Sequence, residues 1–62
     1  MNQWRLRTKL GLYVTLGARA AAKFTANQDE ALVFDERDNE VMKRNWYEQL
    51  LGQPLEVEPC AS

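Results

Sequence analysis

The sequence contains no histidine and a single cysteine, Cys60. An intramolecular disulfide is therefore impossible, and a reducing compartment is the expected setting. A conventional zinc site is nearly excluded, and a catalytic triad built on histidine cannot form. We expect neither a metal nor a cofactor. Cys60 itself is interpreted as a spare surface thiol, because no histidine is present to help form a thiolate.

Long apolar runs are also missing. The longest, such as Ala31–Phe34, fall far short of the roughly 20 residues that a membrane-spanning helix needs. The first twelve residues, MNQWRLRTKLGL, lack the apolar centre of a signal peptide. We therefore expect a soluble, cytoplasmic protein that makes no membrane contact.

The chain has 62 residues, which is enough for one domain with a single small core. We predict that this domain spans residues 1–58 and that residues 59–62 form a frayed tail after Pro59. A core of this size leaves no room for a deep active site. The protein is therefore predicted to be a surface-binding protein and not an enzyme.

Acidic residues are absent from residues 1–27, which carry five basic residues. All nine acidic residues lie in residues 28–62, together with only three basic ones. The net charge of −1 therefore hides a basic half and an acidic half, and this segregation is the most informative global feature of the sequence.

The first third of the chain has the period-2 pattern of a β-hairpin. Trp4, Leu6 and Thr8 alternate with basic side chains, which predicts a half-buried strand. A turn near Gly11 leads into a second strand. In that strand Leu12, Val14 and Leu16 are predicted to face the core, and Tyr13 and Thr15 to face outward.

Residues 18–23 fit a strand, a loop or a short helix. Their alanines favour a helix, whereas an isolated helix of two turns is marginal in water. We favour a loop that leads into a short strand at residues 22–25.

The sequence allows two positions at which the one long helix could begin. Asn27 with Glu30 fits a capping box, which would begin the helix near residue 28. The alternative is a buried strand at residues 31–34, followed by a helix of about residues 36–51 that Asp35 caps. We favour this alternative, because the polar block of residues 35–40 interrupts the apolar pattern.

The predicted fold class is α+β, with a small antiparallel sheet of three to five strands and one helix packed on one face. Gly52 and Pro54 end the helix, and Leu55 and Val57 mark a closing strand. On the helix, the spacing of Met42, Trp46 and Leu50 predicts the stripe that faces the sheet. With Trp4 at one edge, the predicted core comprises Leu6, Leu12, Val14, Leu16, Phe24, Leu32, Phe34, Met42, Trp46, Leu50, Leu55 and Val57.

Part of this pattern resembles small domains that phages and prophages encode, most of them of unassigned function. The matching residues are Trp4, Gly11, Tyr13, Val14, Phe24, Thr25, Glu30, Ala31 and Phe34. The resemblance covers most of the chain and implies the fold and a phage setting, but it transfers no site. The strand–helix–strand ending is also similar to the small RNA-polymerase inhibitor of T7-like phages. The present sequence departs from that inhibitor in its polar block at 35–40 and its basic first strand.

An acidic, aromatic-flanked surface is the first candidate site. It would bind a host protein, with inhibition of that protein as one outcome. Because adjacent helix residues point about 100° apart, only one of Trp46 and Tyr47 can be central to the core, and we assign Tyr47 to the rim. The partner-binding residues of this hypothesis are Asp35, Glu36, Asp38, Glu40 and Tyr47.

The alternative is a nucleic-acid-binding module, in which a basic strand face follows phosphates and an aromatic stacks on a base. Its residues are Arg5, Arg7, Lys9, Tyr13 and Lys23. If the last strand lies beside the first, however, Glu56 and Glu58 would pair with Arg5 and Arg7. A homodimer through an edge strand is a third hypothesis.

Overall fold

The computed structural model describes residues 3–35 and 37–60 and has an α+β fold. A five-stranded antiparallel sheet carries one α-helix, which confirms the predicted fold class. The elements are β1 (Gln3–Arg7), β2 (Tyr13–Leu16), β3 (Ala22–Thr25), β4 (Phe34–Asp35), α1 (Glu40–Leu51) and β5 (Glu56–Pro59).

β1 is the central strand of the sheet. On one edge it pairs with β5 along Trp4–Arg7. On the other edge it pairs with β2 at Arg7 and with β4 at Gln3 and Trp4. β3 pairs with the outer edge of β2. β3, β4 and β5 thus each pair with one other strand, and β4 consists of only two residues.

The core lies between the sheet and α1, and aromatic rings form its centre. Trp4 stacks on Phe34 with ring centroids 4.4 Å apart, and Tyr47 meets Phe34 edge-on at 5.9 Å. The Trp4 indole N–H donates to the Asp35 carbonyl at 3.1 Å. The buried cluster consists of Trp4, Leu6, Val14, Phe34, Tyr47 and Leu55, with Ala22, Phe24, Leu32, Leu51 and Val57 packed against it.

The helix begins later than predicted. Asn39 caps it by accepting from the Met42 amide at 3.0 Å, so the predicted start at residue 36 with Asp35 as the cap is wrong. Asp35 instead accepts from the Arg37 amide, and Asp38 accepts from the Asp35 amide. These side-chain bonds form a separate turn that competes with helical pairing.

The alternative start near residue 28 is also wrong. Gln28–Glu30 forms a single 3₁₀ turn, and the Asn27 side chain caps it by accepting from the Asp29 amide. The other end of the helix is as predicted. Gly52 has a φ of 72°, in the left-handed region that glycine enters without strain, and it stops α1.

The helix packs through a different stripe from the predicted one. Tyr47 is buried and Leu51 is half-buried against the core. Met42, Trp46 and Leu50 were predicted to be core residues, yet 69%, 57% and 54% of their surfaces are exposed. Because adjacent helix residues point about 100° apart, directing Tyr47 at the sheet directs Trp46 away from it.

β2 also departs from the predicted alternation. Thr15 is buried and Leu16 is 42% exposed, the reverse of the expectation. The Thr15 hydroxyl donates to the Glu30 carbonyl at 2.6 Å, so the turn at residues 28–30 covers it. Leu16 stands at the end of its strand, where the sheet gives it less cover. Leu12, also predicted for the core, is half-buried and does not join the cluster.

The predicted strand at residues 31–34 shrinks to Phe34–Asp35, and Val33 is exposed. Residues 18–23 divide between a 3₁₀ turn at Ala18–Ala20 and the start of β3, so the favoured loop and strand are confirmed. Pro59 belongs to β5, and the Cys60 amide donates to the Gln3 carbonyl at 2.8 Å. Residues 59 and 60 are thus held against β1 although we predicted a frayed tail, and residues 61–62 lie outside the described residues.

Candidate protein-binding surface

Three apolar side chains form a row along the outer face of α1. We call Met42, Trp46 and Leu50 the α1 ridge. Their spacing of four residues places them above one another on the helix surface. Each is more than half exposed. Single exposed apolar residues are common, but a contiguous apolar patch marks an interaction surface.

A shallow groove runs between the α1 ridge and the core. Asn39, Met42, Lys43, Trp46 and Tyr47 line it. The Trp46 ring packs edge-on against Tyr47 with centroids 4.7 Å apart, which fixes the orientation of the indole. Burial raises the pKa of the Tyr47 hydroxyl above its ordinary value, so the phenol stays neutral at physiological pH. The groove therefore has an aromatic floor and a rim that carries one amide and one ammonium group.

The α1 ridge lies on the flank of the helix that is turned away from β5. Tyr47 points at the sheet, and its neighbours Trp46 and Glu48 diverge from it by about 100° in opposite directions. The Glu48 carboxylate accepts from the Leu55 amide at 2.8 Å, immediately before β5. Trp46 consequently points away from β5.

Two of the predicted acidic residues, Asp35 and Asp38, hold the turn that precedes α1. Asp35 forms an ion pair with Arg37 at 3.1 Å, and the hydrogen bond from Arg37 lowers the pKa of the Asp35 carboxyl. Asp38 holds the Asp35 amide at 3.0 Å. Glu40 is exposed in the first turn of α1 and makes no side-chain hydrogen bond within the described residues. Glu36 lies outside the described residues.

The structure exchanges the predicted roles of the two adjacent aromatics. Tyr47, predicted to be a rim anchor, is only 7% exposed, and Trp46 takes the exposed position. The sequence held a signal for this arrangement, since Tyr47 and Leu51 form a second i, i+4 apolar pair. Sequence reasoning thus found the residues of the α1 ridge but placed them in the core.

The predicted basic face is largely paired internally. β1 and β5 align Arg5 with Glu58 and Arg7 with Glu56, as the sequence analysis anticipated for neighbouring first and last strands. Glu58 accepts from Arg5 Nε at 2.5 Å and from an Arg7 guanidinium nitrogen at 3.4 Å. Arg7 Nε is buried and has no hydrogen-bond partner among residues 3–35 and 37–60, so Arg7 is held less completely than Arg5. One carboxylate therefore serves both guanidinium groups.

Arg5 is the best-connected member of that face. Its guanidinium carbon lies 5.4 Å from the centroid of the Tyr13 ring, and the group also donates to the Cys60 sulfur at 3.2 Å. Burial acts to lower the pKa of Arg5, but the hydrogen bond that Arg5 donates to Glu58 and the electrostatic attraction of Cys60, Glu58 and Tyr13 together raise it. Lys9 is exposed near the hairpin turn, and Lys23 is exposed on β3. Glu58 thus engages Arg5 and Arg7, whereas Lys9 and Lys23 stay exposed.

The chain matches no protein-family model, and no curated protein or solved structure shows significant similarity to it. The relationship to phage domains therefore stays a prediction. Residues 3–35 and 37–60 contain no group of three or more Cys, Asp or Glu side chains placed to hold a metal ion. The single α-helix in the same residues is too short and too polar to cross a membrane.

Proposed function

We propose that this protein is a binding module without catalytic activity of its own, and that it docks on a partner protein through the α1 ridge. The exposure of Met42, Trp46 and Leu50 carries the proposal. Burying apolar surface contributes about 25 cal/mol per Å². A chain of 62 residues has little apolar surface to spare, so leaving three large side chains in water is costly unless a partner covers them.

Trp46 is the central anchor of this surface. Tryptophan is among the residues that contribute most binding energy in protein interfaces, especially near the centre of the contact. Trp46 lies between Met42 and Leu50, and its ring is braced by Tyr47. A braced side chain loses little conformational freedom on binding, so more of its contact energy remains as affinity.

The charged groups beside the α1 ridge would determine the orientation in which a partner binds. Glu40, Asp35 and Asp38 lie at the N-terminal end of the ridge, and Lys43 borders its middle. A partner groove with basic residues at one end would match this arrangement. Such matching speeds association more than it strengthens the final complex.

The setting we propose is that of a phage or prophage accessory protein in the bacterial cytoplasm. The pattern that includes Trp4, Gly11 and Phe34 supports this setting by its resemblance to phage domains. The partner would then be a host protein, and binding would inhibit it. Nucleic acid is not the partner we propose, because phosphates would have to displace Glu58 from both Arg5 and Arg7.

Affinity capture with matched variants tests the proposal. The tagged full chain is incubated with bacterial lysate, the captured proteins are identified by mass spectrometry, and the purified partner is titrated by calorimetry. Trp46→Ala should lower the affinity by about 2 kcal/mol, or about 30-fold. Val41→Ala is the matched control, because Val41 is 59% exposed on the same helix but lies outside the ridge. Equal affinities of Trp46→Ala and the wild type would rule the proposal out.

A charge variant separates the acidic contribution from the apolar one. Glu40→Gln should slow association at low salt and leave the dissociation rate nearly unchanged. Asp35 and Asp38 are unsuitable for this test, because their side chains hold the turn before α1. A dissociation rate that rises as much for Glu40→Gln as for Trp46→Ala would place the acidic group inside the interface.

A further inference from the structure

The two edges of the sheet differ in how they resist pairing with another strand. β5 carries Glu56, Glu58 and Pro59, and both charges and proline are devices that block edge pairing. β3 carries neither an acid nor a proline, and Lys23 is its single charge. β3 thus carries one protecting charge, against two charges and a proline on β5, and is the less protected of these two strands.

The hydrogen-bond pattern shows which groups of β3 are available. In an antiparallel strand, the N–H and C=O of one residue point to the same side, and successive residues alternate. The Val14 carbonyl accepts from the Leu32 amide at 2.9 Å and so points away from β3. The Gly17 amide donates to the Ala21 carbonyl at 2.7 Å, on the β3 side. Odd-numbered residues of β2 therefore supply the bonds to β3.

This alternation sets the free groups on β3. Thr15 aligns with Lys23, so these two residues exchange backbone hydrogen bonds. The N–H and C=O groups of Ala22 and Phe24 point outward from the sheet instead. Only a second extended backbone can pair with a row of groups at this spacing.

β3 and the α1 ridge border the same face of the sheet. The side chains of Ala22 and Phe24 pack against the core cluster, on the face that α1 covers. The α1 ridge lies on the flank of α1 that is turned away from β5, and α1 contacts β3 as well. A strand added at β3 would direct every second side chain to this face, where Phe24 and the ridge would meet it.

We propose that the partner element is an extended segment of another protein, which adds to the sheet at β3 and presents an apolar residue at every second position to the α1 ridge. This inference rests on the proposed function. Interface size supports it, because three side chains are far fewer than the roughly 20–30 residues that each partner contributes to a standard interface. Charge supports it as well: residues 17–27 contain Arg19 and Lys23 and no acid, so acidic residues fit the alternate positions of the segment.

A second copy of this chain fits the β3 edge less well. The antiparallel register that pairs Ala22 of one molecule with Phe24 of the other would place Lys23 directly opposite Lys23 of the second molecule. Like charges in directly opposed positions are destabilising. A copy that offered its β5 instead would bring Pro59, which lacks an amide donor.

A random peptide library selected on the full-length chain provides the probe. We expect the selected peptides to alternate apolar and acidic residues. Their affinities are then measured for the wild type, Trp46→Ala, Ala22→Pro and Val41→Ala. Ala22→Pro removes one outward N–H without touching the β2–β3 ladder. Ala21, with φ −74° and ψ 130°, already has the conformation that a residue before proline requires.

The proposal predicts that Ala22→Pro and Trp46→Ala each weaken peptide binding at least tenfold, and that Val41→Ala does not. Two further measurements use the unaltered protein, in case Ala22→Pro disturbs folding. Amide exchange at Ala22 and Phe24 should slow when peptide binds. N-methylation of alternate peptide residues should abolish binding in one register and spare it in the other.

Failure of strand addition is distinguishable from failure of the proposed function. Suppose that Trp46→Ala weakens binding, that Ala22→Pro does not, and that peptide leaves amide exchange at Ala22 and Phe24 unchanged. The ridge then binds a partner but β3 does not, and strand addition is overturned. Helical peptides, no selected peptide, or dimerisation of the chain through β3 would overturn it as well. Binding that is indifferent to Trp46→Ala would overturn the proposed function itself.

Discussion

The two apolar stripes of α1 have similar compositions and opposite environments. Tyr47 and Leu51 pack on the sheet, whereas Met42, Trp46 and Leu50 point to solvent. Both stripes have the i, i+4 spacing of an amphipathic helix, and the exposed one is the larger. Amphipathic spacing therefore identifies the stripes of a helix without deciding which stripe the protein buries.

Contacts outside the helix decide the choice. Tyr47 meets Phe34 edge-on, and Glu48 holds the Leu55 amide at the start of the closing segment. These contacts fix the rotation of α1 about its axis. The fold therefore determines which stripe is exposed, and the exposed stripe is the one that a partner can contact.

The largest expected effect comes from Tyr47→Ala, which breaks the buried stripe. Truncating a buried aromatic costs about 3–5 kcal/mol, and the whole stability of a domain this small is only a few kcal/mol. We expect the variant to be largely unfolded at 25 °C, as circular dichroism and the loss of a cooperative thermal transition would show. A cooperative transition near that of the wild type would place Tyr47 outside the core.

Trp46→Ala should have the opposite profile. Because the side chain is more than half exposed, its removal should cost less than about 1 kcal/mol of unfolding free energy in urea titrations. The same substitution should cost about 2 kcal/mol of partner affinity. A stability loss as large as that of Tyr47→Ala would erase the contrast between the two stripes.

Asn39→Ala tests where the helix begins. Removing an N-cap side chain costs roughly 1 kcal/mol, which a urea titration resolves. The control is Asn45→Ala, an exposed asparagine inside α1, where alanine should be neutral or slightly stabilising. Equal effects of the two substitutions would mean that Asn39 does not cap the helix.

The smallest expected effect is on alkaline stability. Burial raises the pKa of Tyr47 above 10, so the unfolded chain loses this proton at a lower pH than the folded one. The contribution of Tyr47 to stability is therefore complete below pH 10 and is lost as the pH rises through the folded pKa. Tyr47→Phe should remove this part of the decline in urea titrations between pH 9 and 11, a range set by the ordinary tyrosine pKa of about 10. An unchanged decline would show that the phenol is solvated.

The sheet, and its packing against a single helix, could be predicted from the sequence because both features depend on local patterns. Alternation at Trp4 and Leu6 defined β1, and Gly52 defined the end of the helix. The pairing of Arg5 with Glu58 followed from placing the last strand beside the first. Each of these inferences needed only neighbouring residues or one strand pairing.

The start and rotation of α1 required information that local patterns do not contain. Asp35 and Asn39 are both good caps. The Asp35 carboxylate accepts from the Arg37 amide and the Asp38 carboxylate from the Asp35 amide, which leaves Asn39 to cap the helix. Whether Trp46 or Tyr47 is buried depends on the contact with Phe34, which lies on β4 and not on the helix. The candidate site was misplaced for this reason, since its position depends on which stripe is buried.

Iodide quenching of tryptophan fluorescence tests the central claim most directly, because Trp4 is 4% exposed and Trp46 is 57% exposed. Wild-type protein is compared with Trp46→Phe, which leaves Trp4 as the only emitter. Folded wild type should show a strongly quenched component that Trp46→Phe lacks, and Trp4 should become accessible only in denaturant. If the folded wild type and Trp46→Phe resist quenching equally, Trp46 is buried and the α1 ridge is not a surface.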